Sequence, residues 1–141
     1  MKKKTVKLMF VLLCTTLVGF SQEPQKNYPN TYLGDVIKSE TTITKAALLE
    51  TLLANSTITV RKEICSEETW IVQSFQISLL KGAMQEGVPV SVTGNTIPQN
   101  VLDNIQKLEP PFAIEIAPIR AISSLNKEPA MSHGLWISVK E

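Results

Sequence analysis

Residues that carry out chemistry are scarce in this sequence of 141 residues, which has one histidine and two cysteines. His133 has no second histidine and no Cys-x-x-Cys pair beside it, and one imidazole does not make a zinc site. The glycine-containing turns match neither G-x-G-x-x-G nor G-x-x-x-x-G-K, the two patterns that cradle phosphates. The sequence therefore predicts no metal, no cofactor and no catalytic residue.

The N-terminus has the pattern of a signal peptide. A basic start at residues 2–7 is followed by an apolar run from Leu8 to Phe20, and Gly19-Phe20-Ser21 supplies small residues before Gln22. This order predicts export and cleavage before Gln22, so residues 1–21 are assigned to the signal. The run is shorter than the about 20 apolar residues that a membrane helix needs, so no stable span is expected after processing. A lipoprotein signal ending at Cys14 is the alternative.

The exported part of the chain has no excess of positive charge. The whole sequence carries fourteen basic and thirteen acidic residues, and removing the four lysines of the signal leaves a net charge of −3. No basic patch with interleaved aromatic residues occurs, which argues against nucleic-acid binding. Cys65 is then the one remaining cysteine, so no internal disulfide can form. A small core or strand residue is its simplest role, and a reactive thiol is the other.

The chain does contain a long alternating stretch, residues 69–93. Its first strand places Ile71, Phe75, Ile77 and Leu79 on one face, while Trp70, Ser74, Gln76 and Ser78 lie on the other. Such period-two alternation predicts a strand with one buried face, which Gln73 interrupts. Residues 81–87 then predict a turn, and Val88, Val90 and Val92 a returning strand. Pro89 cannot donate a hydrogen bond, which predicts an edge or a bulge there.

The remaining segments alternate between short strands and two helices. Residues 22–30 predict a flexible leader, and residues 31–37, 39–44, 56–64, 112–122 and 135–139 predict strands, with a bulge at Pro118. The spacing of leucines predicts a helix over 45–54, with Thr44 as its N-cap and Asn55 as its stop. A second helix runs from Pro98 to Leu108, and residues 123–132 predict a polar loop. The expected fold is mainly β: an immunoglobulin-like β-sandwich with two short helices, formed by one domain over residues 31–141.

Several of these segments, in this order, resemble one protein family. They are Tyr32-Leu33-Gly34, Ile43-Thr44-Lys45-Ala46-Ala47-Leu48, Val72-Gln73-Ser74-Phe75, Gly94-Asn95, the helix Val101 to Leu108, Ile119-Arg120-Ala121-Ile122 and Leu135-Trp136-Ile137-Ser138-Val139. Together they resemble the C-terminal periplasmic domain, which is the fourth domain, of proteins of the GldM and PorM family. The signal sequence ending Phe-Ser-Gln is similar to those of the Bacteroidetes bacteria that carry this family.

The resemblance implies a function that composition does not. Members of the family are parts of the gliding-motility and type IX secretion machinery, in which elongated dimers span the periplasm. Their last domain is an immunoglobulin-like module that reaches towards outer-membrane proteins. The resemblance thus implies an exported envelope protein, located in the periplasm, at the outer membrane or outside the cell. Its implied partners are envelope proteins, among them secretion-system components. A homodimer is one arrangement that the resemblance implies. We expect one such module standing alone, without catalytic residues.

Three side chains are the candidates for protein binding: Trp70, Val72 and Trp136. Each is predicted on the face opposite the apolar face of its strand, where an exposed aromatic patch would suit a partner. The alternative is that they pack under the helices or close a sandwich edge.

Three functions remain open from the residues alone. The first is a non-catalytic protein-binding module of the envelope. The second is a small secreted enzyme that uses Cys65 or His133, although no third group to orient such a pair is identifiable; Glu67 and Glu68 are most simply solvated turn residues. The third is a secreted module that binds a ligand or polymer and has no part in secretion.

Overall fold

The structure is a computed structural model that describes residues 28–62 and 68–141. In these residues the chain forms nine strands and two helices, so the predicted mainly β fold with two helices is confirmed. The strands are β1 (Asn30–Leu33), β2 (Ile37–Lys38), β3 (Thr41–Thr44), β4 (Ile58–Arg61), β5 (Thr69–Lys81), β6 (Met84–Thr93), β7 (Phe112–Ser123), β8 (Pro129–Ser132) and β9 (Leu135–Lys140). The helices are α1 (Lys45–Ala54) and α2 (Gln99–Lys107). The predicted signal peptide and most of the leader lie outside the described residues.

Two long strands, β5 and β7, organise the sheet. They pair antiparallel along most of their length. The strands of the sheet follow the order β2-β1-β4-β5-β7-β9-β3. The other edge of β5 pairs with β4 near its start and with β6 further along. The other edge of β7 pairs first with β9 and then with β8. One half of the sheet therefore contains β4 and β8, and the other contains β6 and β9. The separate two-sheet arrangement of an immunoglobulin-like sandwich stays a prediction.

A bulge at Gln73 reverses which side chains of β5 face the core. Val72 pairs with Ala121 and Ser74 with Arg120, so Gln73 is an extra residue with no partner on β7. An extra residue in one strand shifts the alternation by one position. Val72 is consequently 7% exposed and Ile71 57% exposed. The prediction that Ile71 shares the buried face of Phe75 is wrong for this reason, whereas Phe75, at 3%, lies in the core as predicted.

β7 changes faces in the same way at Pro118, where the sequence predicts a bulge. Ile77 pairs with Ile116 and Phe75 with Ile119, so Ala117 and Pro118 face one residue of β5. Before this point the buried residues have even numbers, and after it they have odd numbers. The predicted bulge is confirmed, and it lets both long strands change faces together.

The hairpin between β5 and β6 turns sooner than predicted. Lys81 pairs with Met84, so the turn consists of Gly82 and Ala83 and the second strand begins before Val88. The register then jumps, because Ile77 pairs with Val90 and Leu79 with Glu86. Pro89 lies in this irregular stretch, as predicted. Among the described residues, the strand that contains it, β6, pairs with β5. Val88 belongs to the irregularity and is 85% exposed.

The predicted polar loop at residues 123–132 is wrong in its second part. After a turn, Pro129–Ser132 forms β8, which pairs antiparallel with the end of β7. Only four residues take part, and two of them are small. Such a short segment has no alternation to mark it as a strand, so its pairing depends on the neighbouring edge of β7.

Local signals fix the ends of helix α1. The Thr44 hydroxyl accepts a hydrogen bond from the Ala47 amide at 3.3 Å, and the Asn55 amide donates to the Thr51 carbonyl at 2.8 Å. Both ends agree with the prediction. The buried residues of α1 are Leu48 and Leu52, whereas Leu53 is 89% exposed.

Helix α2 follows Pro98 and buries Val101 and Ile105. Both helices pack on the same core as the strands, which is one contact cluster that includes Leu33, Ile58, Phe75, Ile114 and Ile137. Among the described residues no helix has the length and apolar character to cross a membrane.

Candidate protein-binding site

Trp136 lies on the outward side of β9, as the alternation of its strand predicts. Its neighbours Leu135 and Ile137 are buried, while Trp136 is 41% exposed. Directly opposite it on β7 is Glu115, and opposite Glu115 on β5 is Ser78. Opposed residues of antiparallel strands point to the same side of the sheet, so these three side chains form one row.

A second row lies beside the first and contains small or partly apolar side chains. Leu80 pairs with Ala113, Ala113 with Ser138, and Ser138 with Thr42. We call the surface formed by Ser78, Leu80, Ala113, Glu115, Trp136 and Ser138 the Trp136 face. Its residues are partly or largely exposed, and it contains one large aromatic side chain beside small, apolar and acidic neighbours, a combination that suits contact with another surface.

Three hydrogen bonds fix Trp136 in place. Its amide donates to the Ser39 hydroxyl at 3.1 Å, and its carbonyl accepts from the Glu40 amide at 2.8 Å. The indole Nε1–H donates to the Ser138 hydroxyl at 3.3 Å, so the ring lies along its own strand. A side chain that is already ordered loses less rotamer freedom when a partner binds.

Trp70 does not lie on the face opposite the core, as the alternation predicts, but is partly buried and points towards the core, in line with the packing alternative. It pairs with Val60 on β4 and with Ser123 on β7, both of which are buried, and its ring packs against the core cluster. The ammonium of Lys62 lies 5.8 Å from the centre of the ring. Its Nε1–H has no hydrogen-bond partner among the residues that the structure describes. The same bulge at Gln73 explains the error, because it inverts the faces of the whole start of β5.

Val72 belongs to the core for the same reason, and its side chain offers no surface to a partner. Of the three candidate residues, therefore, the structure leaves Trp136 at the surface, places Val72 in the core and packs the partly buried Trp70 against that core. The sequence did contain a signal for this outcome. Gln73 is the polar residue that interrupts the apolar side of the alternation, and treating it as a bulge would have reversed the assignment of every residue before it.

That reversal exposes a second surface, which sequence reasoning missed. Ile71, Ile122 and Pro129 lie directly opposite one another on β5, β7 and β8. Next to them, Arg120 on β7 is opposite Met131 on β8. We call the surface formed by Ile71, Arg120, Ile122, Pro129 and Met131 the Ile71 face.

Polar contacts tie the start of β5 to the turn after β7. Lys62 and Glu68 form an ion pair at 2.9 Å, and the hydroxyl of the fully buried Ser123 donates to the other oxygen of the Glu68 carboxylate. Ser124 accepts from the Thr69 amide at 3.2 Å. The bond from Ser123, and then the Lys62 ammonium, hold the pKa of Glu68 below its ordinary value. Glu68 is thus a tethered residue rather than the solvated turn residue that the sequence predicted.

Of the Cys65 and His133 pair considered for catalysis, the structure describes His133. His133 is exposed, and the centre of its ring lies 5.5 Å from that of Tyr28 in an edge-to-face arrangement, whereas Cys65 and Glu67 lie outside the described residues. Within residues 28–62 and 68–141, no three histidine, cysteine or acidic residues are grouped so as to hold a metal ion.

A groove of about 310 Å³ between the two helices is lined by leucines, glutamines and one serine: Leu49, Leu52, Leu53, Ser56, Gln99, Leu102 and Gln106. None of these side chains is an acid or a base at neutral pH. The groove therefore offers apolar contact and no proton transfer.

No protein-family model and no curated protein matches this chain.

Proposed function

We propose that this chain is a non-catalytic, exported envelope protein that binds other proteins through the Trp136 face. The exposure of Trp136 at 41% on an open sheet surface carries the proposal. Tryptophan is among the residues that contribute most to binding energy at protein interfaces. Glu115, directly beside it, adds one charge that can select a partner.

The resemblance to the last domain of the GldM and PorM family supports the kind of partner. It favours envelope proteins, among them components of the gliding-motility or type IX secretion machinery, and an immunoglobulin-like sandwich as the fold type. The scarcity of acids, bases and nucleophiles in the sequence agrees with binding rather than turnover. A turnover that Cys65→Ser or His133→Ala abolishes without unfolding the protein would contradict this part of the proposal.

The proposal requires export, which the intact mass of the protein from the envelope fraction tests. We expect a chain that begins at Gln22. A mass that retains residues 1–21, or one that includes a lipid adduct at Cys14, would contradict this form of export.

Binding is tested by capturing partners from an envelope extract with the exported protein and with its Trp136→Ala variant. Once a partner is identified, we expect the variant to bind it more weakly by about 2 kcal/mol, or some thirtyfold. Because Trp136 is partly exposed, its removal should leave the free energy of unfolding nearly unchanged.

Leu125→Ala is the matched control, because Leu125 is an exposed apolar residue in the turn between β7 and β8, in the half of the sheet that does not contain β9. It should leave binding as in the unaltered protein. If Trp136→Ala unfolds the protein, Trp136 belongs to the packing and the Trp136 face is not a binding site. If Trp136→Ala and the control variant bind the partner equally well, the proposal is also contradicted.

A secreted module that binds a polymer is the second candidate, and the neighbours of Trp136 favour it. Glu115 and Ser138 place hydrogen-bonding groups next to the ring, as a hydroxyl-rich chain would require. Binding of soluble polysaccharides that Trp136→Ala abolishes, together with no captured protein, would select this function instead.

A further inference from the structure

The Ile71 face contains an unusual apolar row. Ile71 is 57% exposed and Met131 46% exposed, and Ile122 and Pro129 complete the patch between them. The solvent side of an antiparallel sheet is normally polar, so isolated apolar residues there need no explanation but a contiguous row does. Three strands contribute to the row, which makes it a surface rather than a single exposed side chain.

One positive charge belongs to this row. Arg120 lies two residues before Ile122 on β7, and its direct neighbours across the strands are Ser74 and Met131, neither of which is acidic. Among the described residues, Lys62 and Glu68 form an ion pair, and no carboxylate pairs with Arg120.

Two other charged residues near this half of the sheet, Arg61 and Glu128, have contacts of their own. The guanidinium of Arg61 lies 4.1 Å from the centre of the Tyr32 ring and donates to the Asp35 carbonyl, away from the apolar row. The Glu128 carboxylate accepts from the Asn126 side chain in the turn before β8. Arg120 is therefore the charge that a partner lying on the row would meet.

We propose that the Ile71 face binds an extended segment of another protein that carries a carboxylate and, two residues along, an aliphatic side chain. Alternate residues of an extended chain lie about 6.7 Å apart on one side, which is also the separation of Arg120 and Ile122 along β7. The carboxylate then pairs with the Arg120 guanidinium, and the aliphatic side chain covers Ile71 and Ile122. The exported chain has a net charge of −3, and the Ile71 face contains one arginine. This face therefore lacks the cluster of basic residues that binds an anionic membrane surface.

The probe is the heptapeptide Ser-Glu-Thr-Ile-Ser-Glu-Ser, blocked at both ends and titrated into the ¹⁵N-labelled exported protein. We expect amide shifts to change at Ile71, Arg120 and Ile122, with a Kd of about 1 mM because the contact is small and flat. A peptide with lysine in place of both glutamates, and one with serine in place of isoleucine, should each bind at least about tenfold more weakly.

Two variants with matched controls assign the binding to this surface. Arg120→Glu and Ile71→Ser should each weaken binding of the peptide about tenfold. Lys107→Glu, an equal charge change on α2, and Val88→Ser, which also replaces an exposed apolar side chain but on β6, should have no effect. Equal binding of the lysine peptide, shifts confined to other surfaces, or no shifts at 5 mM peptide (about five times the expected Kd) would each overturn the proposal. Binding to mixed phosphatidylcholine and phosphatidylglycerol vesicles that Arg120→Glu abolishes would overturn it in favour of a lipid surface.

This proposal goes beyond the function assigned to the Trp136 face, and the two fail separately. Trp136→Ala should not alter binding of the peptide, because Trp136 lies on β9, which borders the other half of the sheet. A peptide that binds the Trp136→Ala variant normally supports the Ile71 face even if no envelope protein depends on Trp136. A peptide whose binding requires Trp136 overturns it.

Discussion

The bulge at Gln73 can be tested by two substitutions at adjacent positions, Ile71→Ala and Val72→Ala. Val72 is 7% exposed, so truncation removes two buried methyl groups. Each is worth about 0.8 kcal/mol in transfer from water, and the cavity that remains adds to this cost. We expect Val72→Ala to lower the free energy of unfolding by about 2 to 3 kcal/mol.

Ile71→Ala removes more atoms but should cost less. Its side chain is 57% exposed, so most of the removed surface was already in water. What remains is the lower preference of alanine for a strand and the loss of contact with Ile122 across the sheet. Together these should lower the free energy of unfolding by no more than about 1 kcal/mol.

Urea unfolding followed by circular dichroism measures both losses. With a slope of about 2 kcal/mol per molar urea, Val72→Ala should move the midpoint by about 1 M or more and Ile71→Ala by less than about 0.5 M. A larger loss for Ile71→Ala than for Val72→Ala would show that the alternation of β5 is not interrupted. The Ile71 face would then be part of the core, and the reasoning from the bulge would be refuted.

Two further pairs of substitutions test the packing elsewhere. Phe75→Ala should lower the free energy of unfolding by about 3 to 5 kcal/mol in the same titration, because Phe75 is 3% exposed. Ser74→Ala should lower it by less than about 1 kcal/mol. Equal losses would contradict the assignment of Phe75 to the buried face. Gly34 has φ +59°, and an added Cβ would lie 2.8 Å from the Asn55 carbonyl oxygen. Gly34→Ala should therefore cost more than about 2 kcal/mol, and more than Gly82→Ala, whose added Cβ meets no atom within 4 Å; a smaller loss at Gly34 would show that the close approach relaxes.

The features that the sequence predicted correctly are those fixed by neighbours along the chain. The ends of α1 follow from the Thr44 hydroxyl and from Asn55, both within four residues of their hydrogen-bond partners. The irregular positions of Pro89 and Pro118 follow from the missing amide hydrogen of proline. Phe75 was assigned to the core because three apolar positions on the same strand supported it.

The features that were missed depend on residues far apart in the sequence. A glutamine in an apolar series has two explanations, a surface substitution or a bulge, and the pairing of its neighbours with Arg120 and Ala121 on the distant strand β7 decides between them. One residue of offset was enough to place Trp70 and Val72 on the wrong face and so to misassign two of the three candidate site residues. β8 and the parallel pairing of β3 with β9 likewise form only because distant strands offer an edge.

The tether at Glu68 gives the protein a predictable response to acid. Its pKa is lowered in the folded state by the Ser123 hydroxyl first and by Lys62 second, so the ionised carboxylate stabilises the fold. For a lowered pKa this contribution is complete above the ordinary value of 4.5 and is lost as the pH falls through the folded value. We expect Glu68→Gln to lower stability at neutral pH and to flatten its decline below pH 4.5, and Ser123→Ala to flatten it more than Lys62→Ala. Unfolding by urea between pH 3 and pH 7 measures this, and a decline that stays as steep in Glu68→Gln would show that the tether does not stabilise the fold.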